Sequence, residues 1–147
     1  MTGVQTCALP IYLIYPHILS VPKINKKVIV TCTDKEFHEL GARMVSDVFE
    51  LNGWHSIYLG ANTPKEELLT LIEEEKPDIV AISLNFYINI VRLMREIEAI
   101  NEKFPTQKII VGGQAFSEGK EAILQKFENV KYISCIYTLE DYLKSLN

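Results

Sequence analysis

From Lys26 onward the hydrophobic period switches repeatedly between two and 3.6, and this alternation constrains the fold more than any other feature of the chain. Lys27 to Cys32 (KVIVTC) is a β-branched run, which reads as a strand buried on both faces. His38 to Asn52 follows as a helix, with Leu40, Met44, Val48 and Leu51 expected on its core face and Gly53 as its C-terminal cap. Trp54 to Leu59 reads as a second strand. Thr63-Pro64-Lys65-Glu66 has the form of a capping box with proline at the first helical position, so a helix is expected from Pro64 to Glu75. Asp78 to Ser83 is a third strand, and Ile90, Leu93, Met94, Ile97 and Phe104 mark a third helix. Lys108 to Val111 is a fourth strand, ended by Gly112-Gly113. Glu118 to Phe127 is expected as a helix, Tyr132 to Cys135 as a fifth strand and Leu139 to Leu146 as a last helix.

Strands separated by helices of this length imply right-handed crossovers and a parallel sheet covered on both faces. The 147 residues suffice for one domain with a full core. About five strands at this size predict a three-layer α/β fold of the flavodoxin-like (Rossmann-like) order 2-1-3-4-5 rather than a barrel. Strand one then lies beside strand three, and a ligand crevice opens at their carboxyl ends, where the order reverses. The loops after Cys32, Ser83 and Val111 are therefore the ones expected to hold a site.

The first of these loops reads Thr33-Asp34-Lys35-Glu36-Phe37-His38-Glu39-Leu40-Gly41. A carboxylate two residues before a histidine can hydrogen-bond one ring nitrogen, which orients the ring and raises the basicity of the other nitrogen toward a metal. Gly41 removes a side chain where a large planar ligand would approach. The second loop opens with Ser83-Leu84-Asn85, a hydroxyl at the sheet edge. The third is Gly112-Gly113, which permits close backbone approach or a positive φ. Taken singly, each has a plainer explanation: a first-turn carboxylate in Glu36, a helix cap in Ser83, a strand-exit turn in the glycine pair. Their ordered occurrence at three adjacent strand ends is far more specific.

In this order the motifs resemble the signature of the cobalamin-binding domain family, D-x-H-x-x-G, then S-x-L, then G-G. The matches are Glu36 to Gly41, Ser83 and Gly112-Gly113, and the resemblance covers Lys26 to Asn147. It implies that the domain binds cobalamin with its nucleotide base displaced and that His38 is the lower axial ligand of cobalt. Glu36 would take the place of the motif's acid, one methylene longer than aspartate. Ser83 would complete the hydrogen-bonding chain or contact the displaced nucleotide tail, with Leu84 beside it. Gly112 and Gly113 would leave space for that tail, and Gly41 would let the first helix start close to the corrin. Two positions depart from the pattern: Glu36 replaces the aspartate, and Asn85 stands where the leucine of S-x-L is expected.

The segments HELGARMVSDVFELNGW and YLGANTP further resemble the light- and cobalamin-sensing regulators that carry a MerR-type DNA-binding domain upstream. That likeness implies a cofactor-sensing module using adenosylcobalamin. Its partners would be DNA-binding and helical cap domains missing from this chain, and a second copy in a homo-oligomer; the domain itself would touch neither nucleic acid nor membrane. The alternative is a corrinoid methyl carrier, with methylcobalamin and a cobalamin-dependent methyltransferase as its partner. A receiver-type phosphoacceptor of the same fold needs an aspartate where this chain has Ser83. The loop after strand one lacks the glycine a flavodoxin-type phosphate loop wants, and no G-x-G-x-x-G or Walker-type loop occurs. No nucleophile–base pair is evident either, so no chemistry by side chains alone is expected.

Acidic residues number 19 against 15 basic, for a net charge of −4, which argues against a broad polyanion-binding surface. Cys7, Cys32 and Cys135 are too far apart for a disulfide framework or a zinc site, which points to a reducing, cytoplasmic compartment. Cys32 and Cys135 are expected as small buried apolar residues. Residues Thr2 to Ile11, TGVQTCALPI, resemble the translation of a sequencing-adapter oligonucleotide. Residues 1–25 are accordingly set apart as a non-native or disordered segment, and 26–147 as the domain.

Overall fold

The computed structural model describes residues 13–146; the adapter-like residues and Cys7 lie outside this range. Five parallel strands, β1 (Lys27–Cys32), β2 (His55–Gly60), β3 (Ile79–Ser83), β4 (Lys108–Gly112) and β5 (Val130–Tyr132), form one sheet in the order β2-β1-β3-β4-β5. This is the expected flavodoxin-like topology. The helices are α1 (Leu40–Leu51), α2 (Lys65–Glu75), α3 (Ile90–Lys103) and α4 (Ile136–Leu146). The fourth crossover, expected as an α-helix, is instead a 3-10 segment over Gln114–Lys126.

Alternation along the strands divides the core in two, because successive side chains leave opposite faces of the sheet. Ile29, Val80, Ile82, Ile109 and Val111 meet α2, α3 and the 3-10 segment. Val28, Val30, Cys32, Ala81 and Ile110 meet α1 and α4 on the other face. Both faces are covered, as the unbroken apolar runs require.

Register fixes the future site. Cys32 is level with Ser83 across β1 and β3, and Ser83 is level with Gly112 across β3 and β4. The three strand ends therefore stand in one row, and the loops leaving them are neighbours. Residues 13–20 are helical with Ile18 buried, and the Ile24 amide donates to the Gly53 carbonyl at 2.8 Å. No helix among the described residues is long and apolar enough to cross a membrane.

Several local expectations change. Leu40 and Met44 are exposed; Val48 is buried as expected, and α1 buries Ala42, Ser46, Asp47 and Phe49 beside it. The Thr63 hydroxyl does not cap α2; it pairs with the Thr31 hydroxyl of β1 at 2.7 Å, tying the helix entrance to the sheet. β5 begins two residues earlier than expected and ends at Tyr132, which leaves Cys135 exposed on the loop before α4. Cys32 is buried, as expected.

Candidate functional site

Glu36 organises the row of strand ends. Its carboxylate is fully buried, and every approach to it is a hydrogen-bond donor. Oε1 accepts from the His38 amide at 3.0 Å and lies 2.9 Å from His38 Nδ1. Oε2 accepts from the amides of Asn85 and Phe86 at 3.0 and 2.9 Å. Burial by itself would raise this carboxyl. The Phe86 and His38 amides, the His38 ring and the Asn85 amide outweigh it, and the group stays below its ordinary range. One carboxylate thus welds the loop after β1 to the loop after β3.

The consequence for His38 is a fixed ring with one nitrogen to spare. An anionic acceptor at Nδ1 places the ring proton there and leaves the Nε2 lone pair free. The side chain is 60% exposed although its partner is wholly buried. Phe86 packs against the imidazole in a T-shaped arrangement, with centroids 4.6 Å apart. The Asn85 side chain donates to the His38 carbonyl at 2.8 Å and accepts from the Gln114 amide at 3.3 Å, so it spans all three loops. In the sequence it stands out only as a departure from S-x-L; its bridging role depends on the row of strand ends.

Two hollows meet here. The first is an open one of about 580 Å³ around Phe37, His38, Leu40 and Phe86. Phe37, Leu40 and Phe86 are exposed apolar side chains around the imidazole, a rim suited to a flat and largely apolar molecule. The second is a slot of about 210 Å³ between the sheet and helices α1 and α4, floored by Val30, Ala81 and Ile110. A dry apolar cavity of roughly 150 Å³ admits benzene, so this slot is of a size for a bicyclic aromatic base. Gly41, Asn85 and Gln114 line both hollows and mark where they join.

Small residues make the slot. Ala42, Ala81, Gly112 and Gly113 line it where larger side chains would close it. A side chain on Gly41 would meet nothing within 4 Å, so it would stand in the open space at the junction. Gly113 is required for a different reason: its φ is +114°, and a Cβ would lie 2.1 Å from the Leu84 carbonyl oxygen.

Of the residues marked in the sequence, His38 and Gly41 line the open hollow with Glu36 buried behind the imidazole, and Ser83, Gly112 and Gly113 line the slot. Among the described residues the Ser83 hydroxyl makes no hydrogen bond to Glu36 or His38; the carboxylate is already filled by three amides and the His38 ring. Leu84 is wholly buried, lines neither hollow, and serves as the surface against which Gly113 packs. Cys32 lies under the His38 carbonyl, and burial, then the charges of Glu36 and Glu39, push its thiol up to about 12, so it is no nucleophile.

Among the described residues no three His, Cys, Asp or Glu side chains gather closely enough to hold a metal ion. A single exposed imidazole suits a metal already held by an equatorial macrocycle, and the apolar rim and adjoining slot fit such a group.

A family model described as B12 binding domain matches residues 26–141. The curated "Methanol--corrinoid protein" of Methanosarcina barkeri (strain Fusaro / DSM 804) is 29% identical over 58 residues, 40% of this chain and 22% of that protein. Among solved structures, the methanol:cobalamin methyltransferase complex MtaBC from Methanosarcina barkeri superposes with a TM-score of 0.75 at 18% identity, covering 86% of this chain and 48% of that one. The Methanosarcina barkeri monomethylamine corrinoid protein superposes with a TM-score of 0.78 at 14% identity, covering 92% and 65%. This chain therefore spans less than two thirds of the length of each of these proteins.

Proposed function

The chain belongs to the B12-binding domain family, and from that premise we propose that it holds cobalamin base-off, with His38 Nε2 as the lower axial ligand of cobalt. The observation that carries this reading is the Glu36 clamp, which fixes Nδ1 at 2.9 Å and leaves the other nitrogen of an exposed ring free. The corrin would lie on Phe37, Leu40 and Phe86. The displaced nucleotide arm would pass Gly41 into the slot, along Ser83 and Gly112.

The chemistry of the cobalt centre is the cofactor's own. The chain's part is to bind, to orient and to tune. Glu36 keeps the imidazole in the Nδ1–H tautomer, and its negative charge increases electron donation through Nε2. Asn85 holds the His38 backbone through its carbonyl, and Phe86 packs against the ring. The apolar walls of the slot, Val30, Ala81 and Ile110 among them, would keep water from a bound nucleotide arm.

Between the two roles open to such a module, methyl carrier and sensor, we favour the carrier. The relatives named above are corrinoid proteins of methanol and monomethylamine systems, whereas the sensor reading rests on the two segments HELGARMVSDVFELNGW and YLGANTP. The exposed rim of Phe37, Leu40 and Phe86 would be covered, over the bound corrin, by a partner domain.

Mixing the protein with hydroxocobalamin tests the ligation. The visible bands are expected to shift with the wild type and not with His38→Ala. Identical spectra for both proteins would overturn the assignment of His38. Methyl transfer to the bound corrinoid by a methyltransferase, without response to light, is the outcome expected of a carrier; light-dependent association with adenosylcobalamin would select the sensor instead.

A further inference from the structure

Glu96 takes no part in the site described above, yet it lies buried against the turn that feeds it. Its position on α3, four residues after Arg92, has the spacing of a solvent-facing pair, but the residue is only 3% exposed. Oε1 accepts from the Asp34 amide at 2.8 Å. Oε2 has no hydrogen-bond partner among the described residues, and neither does Thr33 Oγ1, which is equally buried. The Thr33 hydroxyl is near enough to bias the carboxyl's titration without completing a hydrogen bond.

One proton would satisfy both orphans. A carboxylic acid at Glu96 can donate to the Thr33 hydroxyl oxygen while still accepting from the Asp34 amide. The charged groups facing Glu96 are Asp34 and Arg92, which pair with each other at 2.9 Å, with Lys35 on the outer side of Asp34. Burial dominates, and with the Asp34 charge it outweighs the Asp34 amide, Thr33 and Arg92, lifting the Glu96 pKa to about 7.

Thr33 and Asp34 open the turn that delivers Glu36. The Thr33 amide donates to the Ser83 carbonyl at 3.1 Å, and the Thr33 carbonyl accepts from the Glu36 amide at 2.9 Å. Lys35 adopts φ +64° between them, a conformation that needs support from its surroundings. The Asn62 and Asn89 side chains hold Lys35 itself, at its amide and its carbonyl, while Ser83 from β3 and Glu96 from α3 hold the two residues before it.

We infer that Glu96 is a positioning residue for the corrinoid site: by holding the Asp34 amide, and in its protonated form the Thr33 hydroxyl as well, it fixes the turn from which Glu36 meets His38. The inference deepens the proposed function and rests on it for its consequence in binding, but its structural part concerns the cofactor-free chain. Glu96→Gln retains an acceptor for Asp34 and supplies a donor for Thr33. Glu96→Leu supplies neither.

The test is read first on the cofactor-free protein, from the ¹⁵N shifts of the His38 ring. Wild type and Glu96→Gln are expected to show a single Nδ1–H tautomer, and Glu96→Leu a mixture despite a cooperative thermal transition. With hydroxocobalamin as probe, Glu96→Leu is expected to bind about tenfold more weakly and Glu96→Gln as wild type. Ring shifts of wild-type character in Glu96→Leu, or a loss in Glu96→Gln as large as in Glu96→Leu, would overturn the inference. If Glu96→Leu does not fold, the Asp34 amide resonance decides: it should titrate near neutrality in the wild type and stay flat in Glu96→Gln, and a flat wild type sinks the idea. A wild type that fails to bind hydroxocobalamin would defeat the proposed function, while the ring shifts would still judge Glu96.

Discussion

Glu36 Oε1 lies 2.9 Å from His38 Nδ1, while the same carboxylate's other oxygen takes the amides of Asn85 and Phe86 about fifty residues along the chain. The pair is short in sequence, but its rigidity is long-range. A two-residue spacing lets a carboxylate reach a ring; only the second oxygen's grip on the loop after β3 stops both from moving together.

Replacing Glu36 by Gln should therefore cost more than the removal of one charge. Either rotamer of the amide points an N–H₂ group at backbone N–H donors, leaving a buried clash of donors worth ~1–3 kcal/mol. The wild-type carboxyl is held below its ordinary range, so its contribution is complete above that range and is lost as pH falls through the folded value. Urea titrations should show the gap between wild type and Glu36→Gln wide at neutral pH and narrower in acid. A gap independent of pH would contradict the assigned hydrogen bonds.

Gly41 and Gly113 should respond oppositely to alanine. At Gly113 a Cβ would lie 2.1 Å from the Leu84 oxygen at φ +114°, so Gly113→Ala is expected to destabilise by ~2 kcal/mol or more. At Gly41, in the first turn of α1, nothing lies within 4 Å, and alanine should stabilise by ~0.5–1 kcal/mol through helix propensity. Yet Gly41→Ala should weaken cobalamin binding, because the new methyl enters the junction of the two hollows. A thermal melt paired with a binding titration separates these effects; unchanged affinity would remove Gly41 from the site.

Filling the slot should discriminate between corrinoids. Ala81→Leu places three extra carbons into the floor of the 210 Å³ space. Cobalamin affinity is expected to fall about tenfold or more, the order of 1.4 kcal/mol or greater. Cobinamide, which lacks the nucleotide arm, should bind as to wild type. Equal losses for both would place the arm elsewhere.

Glu96 gives stability the opposite pH dependence from Glu36. Its folded pKa is raised from 4.5 to about 7, so its contribution is complete below 4.5 and is lost as pH rises through 7. The loss is at most ~3 kcal/mol. Glu96→Gln should remove that slope and exceed the wild type in stability above neutrality. Parallel pH profiles in chemical denaturation would refute this.

The strand–helix alternation, the doubly covered sheet and the three loops that meet at its edge are legible in the residues alone. These follow from hydrophobic period and from chirality, both local properties of a chain. The sequence also carries the spacing of Glu36, His38 and Gly41, which a resemblance could read. What covers each face is set by packing between distant segments. Leu40 and Met44 have core periodicity but border the hollows, because α1 turns Ala42 and Phe49 toward the sheet. Thr63 leaves its capping role for Thr31, and Glu96 is enclosed beside Asp34 instead of facing solvent. Asn85 becomes a bridge only once strand register sets Cys32, Ser83 and Gly112 level. A periodic pattern states which side of an element is apolar, whereas burial and hydrogen-bond partners depend on neighbours that arrive from distant parts of the chain.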